Sequence, residues 1–266
     1  MMEITSRDNS LLRHVRAVRD GKIEELIFIE GLRLCEEAHR SNLAIEAVIV
    51  SEELLRKERA SAVIGELSRV SKRVGSVSEK LLESVSYTKT PQGIIVLAQR
   101  PAASEERLAA SLVANPLLVV LHQINNPVNV GAIVRTAEAA GATGVVTTKN
   151  TSDPFSPKAL RGAMGSAFRL PMWSGVEFAE MIEWCRKRGI VAVCADVEAS
   201  TSYTEFDWAG PSALVLGPES TGFTDDELKS ADKRVSIPMQ GAAESLNVSV
   251  AAGILLFEAA RQRAQS

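Results

Sequence analysis

Three stretches of this 266-residue chain gather polar side chains where an apolar run has just ended or is about to begin. HQINNPVNVGAIVRTAEAAG carries Asn129 and, two turns further on, Arg135. LVLGPESTGFTDDE sets Glu219 on a turn made tight by Gly217, Pro218 and Gly222. IPMQGAAESLNVSVAAGILLFEAARQR brings Glu244, Ser245 and Asn247 to the entrance of a helix in which Val248, Ala251, Leu255 and Ala259 recur at helical spacing. A permanently charged guanidinium suits a phosphate or a developing alkoxide. A carboxylate on a glycine-lined turn suits a neutral or cationic ligand. Each residue also has a bland explanation. Asn129 is placed to cap the helix that follows it, as is a Ser or Asn at 245–247. Arg135 stands three residues from Glu138, the spacing of a surface ion pair worth little. Glu219 can be a turn carboxylate.

Two familiar chemistries are disfavoured. GPESTGFT has the outline of a phosphate loop, but Phe223 stands where the lysine belongs and Glu219 would repel phosphates. No GxGxxG occurs, so a dinucleotide site of the usual kind is unsupported. No HExxH or CxxC is present, and the three histidines (His14, His39, His122) and three cysteines (Cys35, Cys185, Cys194) are read as structural, with no metal.

The elements that must position the three stretches alternate. From residue 113 onward PLLVVLHQI, TGVVTT, GIVAVCAD, SALVLG and KRVSIPM read as strands. Helical patterns cover NVGAIVRTAEAAG, residues 176–188, DDELKSA and the last long segment. That order implies a mostly parallel sheet with helices on both faces. Ligands of such sheets bind beyond the carboxyl ends of the strands, which is where Asn129, Arg135, Glu219, Ser245 and Asn247 all fall. Residues 1–100 read as a smaller α/β unit: a helix over 10–19, the strand LIFIE, the helix GLRLCEEAHR, the strand AIEAVIVS, helical patterns over 52–68 and 78–85, and a strand entered through YTKTPQG. Residues 101–112, PAASEERLAASL, form the linker, itself of helical composition.

Apolar residues make up 45% of the chain, enough for a sizeable core and against global disorder. The net charge of -3 carries no bulk signature of nucleic-acid binding. Arg7, Arg13, Arg16, Arg19 and Lys22, and again Arg56, Lys57, Arg59, Arg69, Lys72 and Arg73, form local basic groups that suit either phosphates or a solvated helix face. The polar start MMEITSRDNS and the shortness of the longest apolar run lead to the expectation of a cytoplasmic protein with reduced thiols and no membrane partner.

The three stretches, in this order and spacing, resemble the three signature motifs of the SpoU (TrmH-type) RNA 2'-O-ribose methyltransferases of the SPOUT superfamily. DPFSPKALRGAMGSAFRLPM is similar to the family's segment between the first two motifs, and LIFIEGLRLCEEA and TKTPQGIIVLA to its L30e-like substrate-binding domain. The resemblance implies an α/β catalytic domain over 113–266 whose C-terminal part forms a trefoil knot, an arrangement that general rules of connection disfavour. An RNA-binding domain over 1–100 precedes it. The resemblance further implies a homodimer through the knotted part and S-adenosylmethionine as cofactor. The backbone around Leu216, Gly217, Ile237, Met239 and Leu246 would hold that cofactor. Ser245 and Asn247 would line the point where the ribose hydroxyl meets the methyl group, Glu219 would position its neighbours, and Asn129 and Arg135 would act on the RNA side. Arg135 would be either the group that activates the hydroxyl or an electrostatic stabiliser. The implied substrate is RNA, foremost large-subunit ribosomal RNA; a tRNA substrate, or a non-catalytic ribosome-assembly factor on the same fold, are the alternatives.

Overall fold

The computed structural model describes residues 1–265, and for Arg59 the backbone alone. The Arg59 side chain, one of the second basic group, lies outside the described residues, as does Ser266. The chain divides into two compact units, Met1–Pro101 with Phe155–Arg169, and Ala102–Pro154 with Leu170–Ser266.

The first unit contains β1 (Met2–Ile4), α1 (Ser10–Arg19), β2 (Leu26–Glu30), α2 (Leu32–Arg40), β3 (Ile45–Ser51), α3 (Glu52–Leu55), α4 (Glu58–Val70), β4 (Arg73–Val77), α5 (Glu79–Val85) and β5 (Ile94–Gln99). Its sheet runs β1-β4-β3-β5-β2, with β5 antiparallel to both neighbours. LIFIE is buried along its whole length, because helices cover both faces of the sheet. The side chain of buried Glu30, at the end of β2, accepts hydrogen bonds from the backbone of Tyr87 and Thr88 and fastens the turn that leads into β5.

The second unit contains α6 (Glu105–Ala110), β6 (Leu117–Leu121), α7 (Pro127–Ala139) and β7 (Gly144–Thr148). The chain then contributes α8 (Pro157–Ala163) and α9 (Ser166–Arg169) to the first unit. It returns with β8 (Met172–Val176), α10 (Phe178–Lys187), β9 (Val191–Ala195), β10 (Ser212–Leu216), α11 (Asp225–Ser230), β11 (Lys233–Val235) and α12 (Val248–Arg263). Six strands in the order β11-β9-β10-β6-β7-β8 form the sheet, every pairing parallel. LLVVL and SALVL are buried throughout, the continuous apolar runs that a sheet covered on both faces demands.

From β6 the chain steps outward to β7 and β8, then crosses to the other side of the sheet for β9 and β10. The crevice between the loops that leave β6 and β10 is therefore the topological switch point, where open α/β sheets take their ligands. α12 packs beside α7 at this place.

Candidate active site at the switch point

The helix after β6 starts earlier than the amide pattern predicts. Asn126, not Asn129, is its cap: the Asn126 side chain accepts from the Val128 backbone N–H at 3.0 Å. Pro127 occupies the first helical position, where its fixed φ is already helical and its missing N–H costs nothing. Asn129 is thereby carried into the first turn and buried, 6% exposed, with its side chain available for tertiary contacts. Its Nδ2 donates to Glu219 Oε1. Its Oδ1 accepts from Asn247 Nδ2 at 3.5 Å.

Asn247 is the cap of α12. Its Oδ1 accepts from the Ser249 backbone N–H at 2.9 Å and from the Ser249 hydroxyl at 2.6 Å. With the oxygen committed to the helix end, the amide nitrogen faces Asn129. One residue from each of the three sequence stretches thus joins a single hydrogen-bonded chain.

Beside this chain lies a cavity of about 470 Å³. Leu216, Gly217, Ile237, Met239 and Leu246, the five positions expected to hold a cofactor, all line it. Glu219, Ser245 and Asn247 line it too. Val248, Ala251 and Leu255 of α12 form part of the apolar wall. Among the described residues no lysine or arginine contributes to the lining, and its two charged side chains are the carboxylates of Asp196 and Glu219. A polyphosphate has nothing to pair with here. An apolar body with polar edges and a positive charge does.

KRVSIPM was expected to be one strand, but its ladder ends at Val235, with a single further bridge between Ser236 and Ser202. Pro238 has no N–H to give a ladder, and the released segment turns Ile237 and Met239 into the cavity wall. At Gly217 an added Cβ would stand 2.7 Å from the Phe223 ring, so this backbone lies against an aromatic face that only glycine permits.

Arg135 is not part of the cavity lining. It is exposed on α7, and its side chain makes no hydrogen bond or ion pair among the described residues, so the surface pair with Glu138 does not form.

Sequence reasoning missed Asp196, the first residue after β9. Its carboxylate accepts from the Glu198 backbone at 3.1 Å and from Arg234 at 3.4 Å. The signal was available, since GIVAVCAD ends an apolar run on a carboxylate at a strand's carboxyl end. Cys35, Cys185 and Cys194 are buried free thiols. Burial pushes Cys185 and Cys194 up to about 12, which makes them poor nucleophiles. Among the described residues no group of His, Cys, Asp and Glu is arranged to hold a metal ion, and no helix is long and apolar enough to cross a membrane.

Known proteins are similar to this chain in sequence and fold. A model of an MRM3-like substrate binding domain matches residues 12–96. The 23S rRNA (guanosine-2'-O-)-methyltransferase RlmB of Ralstonia nicotianae is 36% identical over 184 residues, covering 68% of this chain and 74% of that protein. The AdoMet-bound rRNA methyltransferase of Sinorhizobium meliloti superposes with a TM-score of 0.85 at 28% identity, over 97% of both chains. The SpoU methyltransferase AviRb of Streptomyces viridochromogenes, solved in complex with AdoMet, gives a TM-score of 0.86 at 26% identity, over 97% of this chain and 99% of that one. The SpoU rRNA Methylase family model matches residues 116–257, a span that holds all three polar loops and the cavity between them. With more than half its length inside that match, the chain belongs to the SpoU rRNA methylase family.

Proposed function

We propose that this protein transfers a methyl group from S-adenosylmethionine to the 2'-oxygen of a ribose in large-subunit ribosomal RNA. The observation that carries the proposal is the meeting of Asn129, Glu219 and Asn247 beside a cavity with apolar walls and, among the described residues, no cation in its lining. Such a wall fits a purine, an aliphatic tail and a positively charged sulfur. When bound, the cofactor supplies a methyl group already activated as a sulfonium, so the protein's task is alignment.

The backbone at Leu216, Gly217, Ile237, Met239 and Leu246 holds the cofactor, and the bare Cα of Gly217 permits the close approach of Phe223. Asn129 fixes the Glu219 carboxylate, and Asn247 fixes Asn129, so the three polar groups stay put while the acceptor oxygen is brought in line. Ser245, exposed at the rim, offers a hydroxyl to the incoming ribose. Arg135 acts electrostatically on the RNA, holding a phosphate or stabilising the developing alkoxide. A guanidinium stays protonated, so a role as general base is the weaker reading.

Arg135 and Val128 stand seven residues apart on α7, and Val250 and Phe257 seven apart on the neighbouring α12. Val128, Val250 and Phe257 are 45%, 51% and 54% exposed. A second copy of the chain covers this apolar face and places Arg135 at the dimer interface. The trefoil knot belongs to the same reading, as does an L30e-like RNA-binding role for residues 1–100 and a cytoplasmic place of action. A large-subunit rRNA substrate is favoured over tRNA by the name of the R. nicotianae relative and by full-length likeness to rRNA enzymes.

The test is methyl transfer from tritiated AdoMet to separated rRNA and tRNA. The native chain labels the large-subunit rRNA. Arg135→Ala and Asn247→Ala each reduce labelling by about 100-fold or more. Label in tRNA alone would replace the substrate, and RNA binding without any transfer would leave a non-catalytic assembly factor.

A further inference from the structure

His122 is the first residue after β6, and it is 2% exposed. Both ring nitrogens are occupied: Nδ1 lies 3.0 Å from Thr148 Oγ1 and Nε2 lies 2.9 Å from Glu227 Oε1. The pair is consistent with one neutral tautomer, in which Nε2–H donates to the carboxylate and Nδ1 accepts from the hydroxyl. Glu227 is the capping-box residue of α11: its Oε2 accepts from the Thr224 backbone N–H at 2.8 Å, and its own N–H donates to Thr224 Oγ1. Phe223, next to Thr224, lies parallel to the imidazole, with ring centroids 5.9 Å apart and an angle of 4° between the planes. Phe223 is also the ring packed against Gly217, and both line the cavity. On the other side, Gln123 turns through a left-handed φ of 54° and starts the loop that delivers Asn126 and Asn129. The His122 backbone N–H donates to the Leu216 carbonyl, one residue before Gly217.

We propose that His122 is a positioning residue that ties the loop after β6 to the loop after β10, and that its bond to Glu227 sets the shape of the cofactor-binding wall. The inference rests on the cofactor reading above, but the tie between the loops stands on its own geometry. Of the two arms, the one to Thr148 joins neighbouring strand ends in the sheet and is structural. The arm to Glu227 reaches the cap of the segment that carries Gly217, Phe223 and Thr224.

Two substitutions separate the arms. In His122→Gln the side-chain amide occupies the place of Nε2 and keeps the bond to Glu227. In His122→Asn it occupies the place of Nδ1 and keeps only the bond to Thr148. Hydrogen exchange at the Gly222 and Thr224 amides of the free protein reports the loop, and calorimetry with AdoMet reports the wall. The expected result is faster exchange and about tenfold weaker AdoMet binding in His122→Asn. His122→Gln stays within about threefold of native in both. Exchange at 222 and 224 that is unchanged in His122→Asn, or equally fast in both variants, overturns the proposal. A native chain that binds no AdoMet would sink the cofactor reading, and the exchange comparison would still decide the tie.

Discussion

The side chain of Asn129 has two opposed faces, and the site uses both. Its nitrogen donates to Glu219 and its oxygen accepts from Asn247, so it links the carboxylate to the cap of α12. Groups that share one hydrogen-bonded chain lose their effect together. In a double-mutant cycle on transfer rate, Asn129→Ala and Glu219→Ala will therefore fall short of additivity by about 1–3 kcal/mol. Additive losses would mean that the two act separately. His122 has its own signature in pH. Burial lowers its affinity for a proton below the ordinary imidazole range, against the pull of Glu227. The folded chain therefore binds fewer protons than the unfolded one as pH drops through that range, and stability falls with it. Glu227 acts in a different window. Burial alone would raise it, but the Thr224 backbone N–H and His122 outweigh burial and hold it below the usual carboxylate value, so its contribution is lost only in more acid solution. His14 is also lowered, by burial and Arg73 against the pull of Glu46, so its protonation costs stability in the same direction. Comparing unfolding midpoints at pH 7.5 and 5.5 separates them: the drop will be smaller in His122→Gln, and an equal drop would show that His122 does not titrate as described.

At the scale of elements, apolar runs announced most of the sheet and its loops, while the short edges stayed hidden. LIFIE, PLLVVL and SALVL declare themselves because both faces of those strands are buried. Arg73–Val77 alternates and contains Gly75, Met2–Ile4 is three residues long, and Met172–Val176 carries Ser174 and the left-handed Gly175, so none of these read as strands. The helical pattern over 52–68 breaks at Arg56 and Lys57, where α3 gives way to α4. The candidate site was legible as three loops, but not the bonds between them. Spacing alone could not tell that Pro127 would start the helix early and release Asn129 from the cap. The end of α12 was silent for a similar reason, since an arginine near a terminus reads as a solvated charge. Arg263 instead donates to the carbonyls of Asn115, Pro116 and Gly210 at 2.7, 3.2 and 2.6 Å and to Ser212 Oγ at 3.1 Å. It clasps the starts of β6 and β10 to the last turn of the helix that walls the cavity. Arg263→Ala will cost about 2–4 kcal/mol in urea unfolding, because several carbonyls lose a charged donor together. Arg263→Lys will recover only part of this, since an ammonium cannot span the same fork of acceptors. Full recovery by lysine would show that charge alone holds the end.

For the molecule as a whole, charge is unevenly spread: residues 1–100 sum to about +1 and the remainder to about -4 by the same count of acidic and basic side chains. A protein whose larger part is acidic gains little from bulk attraction to RNA and depends on local contacts, of which Arg135 is the one proposed above. That dependence gives the exposed face of α7 and α12 its weight. Large apolar side chains on two adjacent helices, half exposed and beside an arginine without an ion pair among the described residues, stay in water only at a cost, which the second copy proposed above would remove. Phe257→Glu puts a charge at the centre of that face without touching the cavity lining. If two copies meet there, sedimentation will show the native chain as a dimer and the variant as a monomer, each with an unchanged circular dichroism spectrum. Transfer by the variant will fall by at least about tenfold, because Arg135 is no longer delivered at an interface. A native chain that sediments as a monomer, or a Phe257→Glu dimer as stable as native, would remove the face from the mechanism and return Arg135 to a role on its own subunit.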